Sequence, residues 1–206
     1  GIIVQYRGSV RGLTTAAGIW CVAALGLASG LGLYLLSIFG ALLVIAAWRL
    51  NPLCLALSPV AIFVLLGYSY TKRFTWAAHL ALGLALAGAP LGAWIAVTGS
   101  FAATPFVLAG VVVTWVAGFD ILYALQDETF DRARGLASVP ARFGTVAALA
   151  ISAVLHLGTL ALLATLPGVY PPGHGSAYGV GVRGCVLLLA YQHAIVRPGD
   201  LSRLNA

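Results

Sequence analysis

The sequence predicts an all-α protein, a polytopic transmembrane helical bundle with about seven hydrophobic segments. Three observations lead to this fold class: a very low content of charged residues, long uninterrupted apolar runs, and polar residues gathered between those runs. Of the 206 residues, 61% are hydrophobic and 8% are charged, whereas an ordinary soluble domain is about 25% charged. The runs are predicted to be helical because backbone exposed to lipid must satisfy its own hydrogen bonds.

The hydrophobic segments have the length that a membrane-crossing helix needs, which is roughly 20 residues. Short polar connections separate them. The predicted segments are residues 13–29, 31–48, 53–69, 76–97, 105–125, 144–166 and 180–196.

Three polar connections carry positive charge: residues 70–73, 126–142 and 197–203. Two segments lie between each connection and the next, so all three are expected on one face of the membrane. The positive-inside rule makes that face cytoplasmic. The net charge of +6 is therefore interpreted as membrane orientation. The sequence has no basic stripe interleaved with aromatic residues, so it does not predict nucleic-acid binding.

The N-terminal part fits this orientation less well. Arg7 and Arg11 also favour the cytoplasm, but if residues 13–29 and 31–48 both cross fully, the segment 53–69 is a third crossing and places Lys72 and Arg73 outside. Two explanations remain open. Residues 13–48 form one crossing and a re-entrant piece, broken near residues 30–32, or the first 45 or so residues have a different origin from the rest.

An acidic cluster lies at the end of the fifth predicted segment. It contains four of the five acids of the chain: Asp120, Asp127, Glu128 and Asp131. An ionisable group at membrane depth costs about 2.5–3.5 kcal/mol on insertion scales, so the cluster predicts water, a cation or a partner nearby. On a continuous helix, three of these acids would share one face. Carboxylate oxygens suit Mg²⁺, which leaves coordination positions for phosphate oxygens.

Basic residues on the same predicted face complete a candidate diphosphate site. They are Lys72, Arg73, Arg132 and Arg134, and their charge matches phosphate oxygens. Ionisation of a prenyl diphosphate at a lipid-accessible cavity would use such a site well. The alternative is a solvated loop with local ion pairs, but Asp120 lies inside the apolar run, where a loop does not explain it.

Residues 120–144, DILYALQDETFDRARGLASVPARFG, resemble the second aspartate-rich motif of UbiA-type aromatic prenyltransferases, in the branch that prenylates 4-hydroxybenzoate for quinone biosynthesis. Residues 67–76, with His79 and Gly83, resemble the Tyr-x-x-x-Lys connection of that family, and residues 191–205 resemble its late segment. The resemblance covers residues 46–206. It implies a helical bundle in the bacterial inner membrane, with a lipid-open cavity and a cytoplasmic active face.

The resemblance also implies site residues and ligands. Asp127 and Asp131 would bind Mg²⁺, Asp120 and Lys72 would be catalytic, and Lys72 with Arg73, Arg132 and Arg134 would contact the diphosphate. The substrates would be a polyprenyl diphosphate and an aromatic acid such as 4-hydroxybenzoate, within membrane lipid. A first motif, Asn-Asp-x-x-Asp-x-x-x-Asp, is expected earlier, yet residues 1–119 contain no acid. We therefore expect these 206 residues to be incomplete as an enzyme.

Residues 1–45 resemble a different family, the MgtC/SapB membrane proteins, through Gly8–Ala28 and Gly32–Leu35. The sequence thus predicts an MgtC/SapB-like hydrophobic segment at 1–45, for which a foreign origin is one of the two open explanations, and a partial UbiA-like domain at 46–206. A non-enzymatic membrane protein, MgtC-like or of a transport type, is the alternative function.

The four histidines, His79, His156, His174 and His193, are far apart in the sequence and predict no metal site. His79 and His193 flank the cytoplasmic connections and are candidates for contact with the aromatic substrate.

Overall fold

The computed structural model describes residues 4–6, 9–11, 30–170 and 175–197, which are almost entirely helical. Six of the seven predicted segments coincide with helices, and the first, 13–29, lies outside the described residues. The elements are β1 (Val4–Tyr6), β2 (Ser9–Arg11), α1 (Tyr34–Leu50), α2 (Pro52–Thr71), α3 (Ala78–Thr98), α4 (Ala103–Ala124), a 3₁₀ turn (Leu125–Asp127), α5 (Glu128–Arg134), α6 (Val139–Phe143), α7 (Thr145–Val169) and α8 (Ser176–Ile195).

Four of the described helices are long and apolar enough to cross a membrane. They are α2, α3, α7, and α4 together with its continuation to Arg134. A shorter apolar helix covers Ser37–Leu50 within α1. These helices confirm the prediction of an all-α integral membrane protein.

A small antiparallel hairpin precedes the helices and was not predicted. In it, β1 pairs with β2 so that Val4 lies opposite Arg11 and Tyr6 lies opposite Ser9. The predicted break near residues 30–32 is present, because α1 begins only at Tyr34, after a turn. Both explanations of the N-terminal orientation stay predictions.

The chain divides into two compact units, residues 1–65 with 92–101, and residues 66–91 with 102–206. In the first unit, Asn51 joins two helices. Its side-chain oxygen accepts a hydrogen bond from the N–H of Cys54 at 2.9 Å and so caps α2, which begins with proline. Its amide nitrogen donates to the carbonyl of Ile95 at 2.8 Å. Asn51 therefore fixes the start of α2 against the end of α3.

In the second unit, α4 and α7 pack through small and polar residues. Ser152 donates a hydrogen bond to the carbonyl of Gly118 at 2.7 Å, and the hydroxyls of Thr114 and Thr159 are 2.9 Å apart. Without a hydrophobic driving force between helices in lipid, such close backbone approach and interhelical hydrogen bonds hold them together.

The core of the second unit lies where α4 enters its polar connection. Its buried apolar residues come from α4, the 3₁₀ turn, α6, α7 and the residue that follows α8: Ile121, Leu122, Leu125, Val139, Ala148 and Val196. Because Val196 packs here, the start of the third predicted polar connection lies beside the second.

Candidate functional site

A cavity of about 240 Å³ opens beside the end of α4 in the second unit. Both charged and aromatic side chains line it: Lys72, Ala78, His79, Asp120, Tyr123, Ala124, Gln126 and Asp127. Three of the predicted site residues, Lys72, Asp120 and Asp127, are therefore brought to one pocket. Lys72 and Asp127 come from two connections that the sequence placed on the same face, and Asp120 comes from the end of α4.

The helix that carries the acids is not continuous, because the 3₁₀ turn at Leu125–Asp127 interrupts it. A 3₁₀ helix advances by about 120° per residue instead of 100°, so three residues add about 60° of rotation. The added rotation displaces Asp127 and Asp131 about equally from the face expected for a continuous helix. Asp120 and Asp127 both line the pocket, whereas Asp131, about one turn further along, does not line it and is buried. The prediction that all three acids share one face is corrected in this respect.

Asp120 is held by a histidine that the sequence did not pair with it. Oδ2 of Asp120 lies 2.6 Å from Nδ1 of His79. On the other side of the imidazole, Nε2 accepts a hydrogen bond from the backbone N–H of Val139 at 3.2 Å. Because Nε2 is an acceptor, the ring proton must be on Nδ1, which donates it to Asp120.

Asp131 forms an ion pair with Lys72. Nζ of Lys72 lies 3.0 Å from Oδ2 of Asp131, whose side chain is 1% exposed, whereas that of Lys72 is 36% exposed. Among the described residues, Oδ1 of Asp131 has no hydrogen-bond partner. Lys72 therefore reaches from the pocket to the buried Asp131.

Residues 135–143, which follow α5 and include α6, form a short segment with defined backbone geometry, termed the cap. Gly135 ends α5 with φ of 65°, a left-handed conformation in which glycine is unstrained. The N–H of Leu136 then donates to the carbonyl of Asp131 at 2.9 Å, as in a Schellman motif. Ser138 starts α6 by accepting a hydrogen bond from the N–H of Ala141. Local sequence thus fixes how the chain turns back.

The cap contacts the connection between α2 and α3. The N–H of Ala137 donates to the carbonyl of Lys72 at 2.8 Å, and the rings of Trp76 and Phe143 meet edge to face with centroids 5.4 Å apart. The two connections therefore lie at the same end of the second unit, as the charge pattern predicts.

The three predicted arginines do not line the pocket. Arg132 pairs with Glu128 at 2.9 Å, one helical turn away. Arg73 and Arg134 are exposed, and each guanidinium lies over the ring of a nearby aromatic residue, at 5.5 and 5.3 Å from the centroid. Among the predicted phosphate ligands, only Lys72 lies in the pocket itself.

The pocket fits a Mg²⁺ ion if a diphosphate completes the coordination. Asp120 and Asp127 place two carboxylates on its wall. Among the side chains that the structure describes, no group of three or more His, Cys, Asp or Glu residues lies at ligand spacing. Mg²⁺ is usually bound through one or two carboxylates together with water and substrate phosphate. The donor set present is of this kind.

Two of the histidines are neighbours, which their spacing in the sequence did not indicate. Nδ1 of His156 in α7 lies 2.8 Å from Nε2 of His193 in α8. His193 therefore contacts another helix, and neither residue lines the pocket. His174 lies outside the described residues. Of the four histidines, only His79 could have been recognised as a pocket residue from the sequence, because it closely follows the segment that resembles the Tyr-x-x-x-Lys connection.

Replacing Lys72 by methionine is expected to lower the free energy of unfolding by about 2 kcal/mol. The substitution leaves the buried Asp131 charge without a partner, which costs about 3–5 kcal/mol for a fully buried pair. The partial exposure of Lys72 reduces that cost. Asp131→Asn should cost less, since water can hydrate the remaining ammonium, and the double variant should be more stable than Lys72→Met alone. Detergent-induced unfolding followed by circular dichroism measures each value.

Arg73→Met is the matched control, since it removes the adjacent, exposed cation. It should change stability by less than about 0.5 kcal/mol. Strictly additive effects of the Lys72 and Asp131 substitutions would contradict an energetic coupling between the two residues.

The membrane-crossing helices and the acidic pocket at one end of them define an integral membrane protein with a polar site at the end of an apolar bundle. The profile of the UbiA prenyltransferase family matches residues 3–206. The chain belongs to the UbiA prenyltransferase family.

Curated relatives and one solved structure agree with this assignment. The chain is 34% identical to the 4-hydroxybenzoate octaprenyltransferase of Vibrio campbellii, over 81% of this chain and 57% of that protein. It is 34% identical to the 4-hydroxybenzoate solanesyltransferase of Synechocystis, over 57% of this chain and 43% of that protein. The apo structure of a UbiA homolog from Aeropyrum pernix superposes with a TM-score of 0.72 and 31% identity, covering 82% of this chain and 64% of the other.

The chain spans about half the length of the curated relatives it matches. The family match includes residues 3–45. The division into an MgtC/SapB-like segment at 1–45 and a UbiA-like domain at 46–206 stays a prediction.

Proposed function

We propose that this chain carries a diphosphate-binding half-site of a membrane prenyltransferase. The enzyme transfers a polyprenyl group from polyprenyl diphosphate to an aromatic acid such as 4-hydroxybenzoate, for quinone biosynthesis. The observation that carries the proposal is the pocket that joins Lys72, Asp120 and Asp127 at one end of an apolar bundle. The names of the two relatives that are 34% identical to parts of this chain support the choice of donor and acceptor.

In the reaction, the C–O bond between the allylic carbon and the diphosphate breaks, and its electron pair leaves with pyrophosphate. A ring carbon of the acceptor then bonds to the allylic cation and loses its proton. Lys72 would bind a diphosphate oxygen in the pocket, where its ammonium offsets the developing negative charge. Asp120, on the same wall, would face the reacting groups. The prenyl chain would extend among apolar side chains towards lipid.

Asp127, with Asp120 on the same wall of the pocket, is the proposed ligand of Mg²⁺, which would supply Lewis-acid stabilisation of the leaving pyrophosphate. Asp131, the second ligand that the resemblance implies, is buried in its ion pair with Lys72 and does not line the pocket. Arg73, Arg132 and Arg134, outside the pocket, would act as a peripheral positive field that attracts the diphosphate. The basic connections support a cytoplasmic active face in a bacterial inner membrane.

Prenyl transfer in reconstituted vesicles tests the proposal. Radiolabelled farnesyl diphosphate and 4-hydroxybenzoate are supplied with Mg²⁺ or with EDTA, to the 206-residue chain and to a version extended at its N-terminus with the expected first motif, Asn-Asp-x-x-Asp-x-x-x-Asp. We expect product from the extended chain, at a rate that depends on Mg²⁺. Diphosphate binding without product in either chain would instead favour the non-enzymatic alternative.

A further inference from the structure

We propose that His79 is a positioning residue that fixes the carboxylate of Asp120 in the pocket. This inference rests on the proposed function, since the placement of Asp120 matters only if the pocket binds and activates a diphosphate. His79 would not contact the substrate. It would act through Asp120, and it would link that carboxylate to α6, which lies in the cap.

The geometry of the imidazole defines its role. Its Nδ1 lies 2.6 Å from Oδ2 of Asp120, and charged acceptors shorten hydrogen bonds in this way. Its Nε2 is occupied by the N–H of Val139, which leaves Nδ1 as the ring donor. A neutral imidazole in this tautomer can donate to Asp120 and accept from Val139 at once.

The burial of the two side chains differs: His79 is buried, as suits a fixed support, and Asp120 is partly exposed, as suits a group that contacts a ligand. The His79 side chain is 4% exposed, so its ring has little room to rotate, whereas that of Asp120 is 38% exposed and lines the cavity. One Asp120 oxygen is thus engaged by the support. Hydrogen-bonded supports of this kind orient the groups that contact ligands, and their loss typically costs about 10–100-fold in affinity or activity.

The cap adds a second constraint. Val139 is the first residue of α6, and it is buried in the core cluster with Leu125. The N–H that holds His79 is therefore itself fixed by packing. Through His79, the position of Asp120 is tied to the fold of the segment that follows the aspartate-rich helix.

Two amide substitutions separate the contacts of the ring. In His79→Asn, the side-chain nitrogen can take the place of Nδ1 and donate to Asp120, but nothing reaches Val139. In His79→Gln, the longer side chain can place its oxygen near Nε2 and accept from Val139, while the donor to Asp120 is lost. His79→Ala removes both contacts. Thermal unfolding in detergent shows for each variant whether the chain still folds.

Transfer is measured in whichever of the two chains described above forms product. We expect His79→Ala and His79→Gln to lower kcat/KM by about 10–100-fold, and His79→Asn to stay within about threefold of the parent, since it keeps the supporting hydrogen bond. The reverse order, with glutamine active and asparagine inactive, would show that His79 only anchors the cap and would overturn the proposal. Full activity of His79→Ala would overturn it as well.

Nitrogen-15 NMR of the histidine side chains gives a readout that does not depend on turnover. The His79 signal, identified by its loss in His79→Asn, should show a protonated Nδ1 and an unprotonated Nε2. The opposite tautomer, or a doubly protonated ring, would overturn the proposal. If neither chain forms product, the proposed function fails, and the tautomer alone decides whether His79 holds Asp120.

Discussion

Replacing Asp127 by asparagine is expected to reduce prenyl transfer by about 100-fold or more. Asp127 is exposed and lines the pocket, so the substitution removes a negative charge from the proposed Mg²⁺ site without changing the size of the side chain. Loss of a residue that only supports a metal ligand typically costs about 10–100-fold, and loss of a ligand should cost at least as much. Initial rates measured over a range of Mg²⁺ concentrations should show a higher requirement for the ion.

Glu128 offers the matched control, because it is the adjacent acid and does not line the pocket. Its carboxylate pairs with Arg132 and accepts a hydrogen bond from Thr145 at 2.8 Å. Glu128→Gln keeps an acceptor for Thr145 and should leave the Mg²⁺ dependence of the rate unchanged. Equal losses in Asp127→Asn and Glu128→Gln would mean that the cluster acts through its total charge, and would count against a specific role for Asp127.

Replacing Gly83 by alanine is expected to destabilise the fold by about 3 kcal/mol. A Cβ atom at this position would lie 2.7 Å from the carbonyl oxygen of Val113 and 3.1 Å from its Cα. The obstacle is the backbone of α4, which cannot rotate away as a side chain can, so α3 and α4 would have to separate. Insertion of extra atoms into a close-packed contact costs about 1–3 kcal/mol, and the backbone clash places this case at the upper end.

Gly88, five residues further along α3, provides the comparison. A Cβ there would meet nothing within 4 Å. Gly88→Ala should therefore be neutral, or stabilise by up to about 1 kcal/mol, because alanine favours helix over glycine. Detergent-induced unfolding of the two variants gives the difference directly. Similar midpoints for both would show that α3 and α4 do not pack this closely.

The pocket illustrates how far sequence could predict the site. Lys72, Asp120 and Asp127 were expected to act together, and they line one cavity. The arginines were expected there too, but Arg132 is engaged by Glu128 in its own helix. The spacing of charged residues predicts which end of the bundle they occupy. The choice of partner among several nearby charges depends instead on the length of each side chain and on the 3₁₀ turn.

The partner of His79 could not be predicted from the sequence either. His79 lies 41 residues before Asp120 in the chain, on a different helix, and nothing local to either residue predicts their hydrogen bond. His156 and His193 are another such pair, joined across two helices. One sequence by itself offers no measure of which distant residues meet.

By itself, the sequence determined the membrane class, the helical segments, the acidic cluster and the end of the bundle on which the charged connections lie. These features follow from local physics, since lipid demands apolar side chains and internally satisfied backbone hydrogen bonds over about 20 residues. Only the tertiary structure decided that Asp131 pairs with Lys72 and that Asp120 is held by His79. Those choices depend on how α3, α4 and the cap pack together, because a carboxylate at an apolar helix end takes the donor that packing brings within about 3 Å.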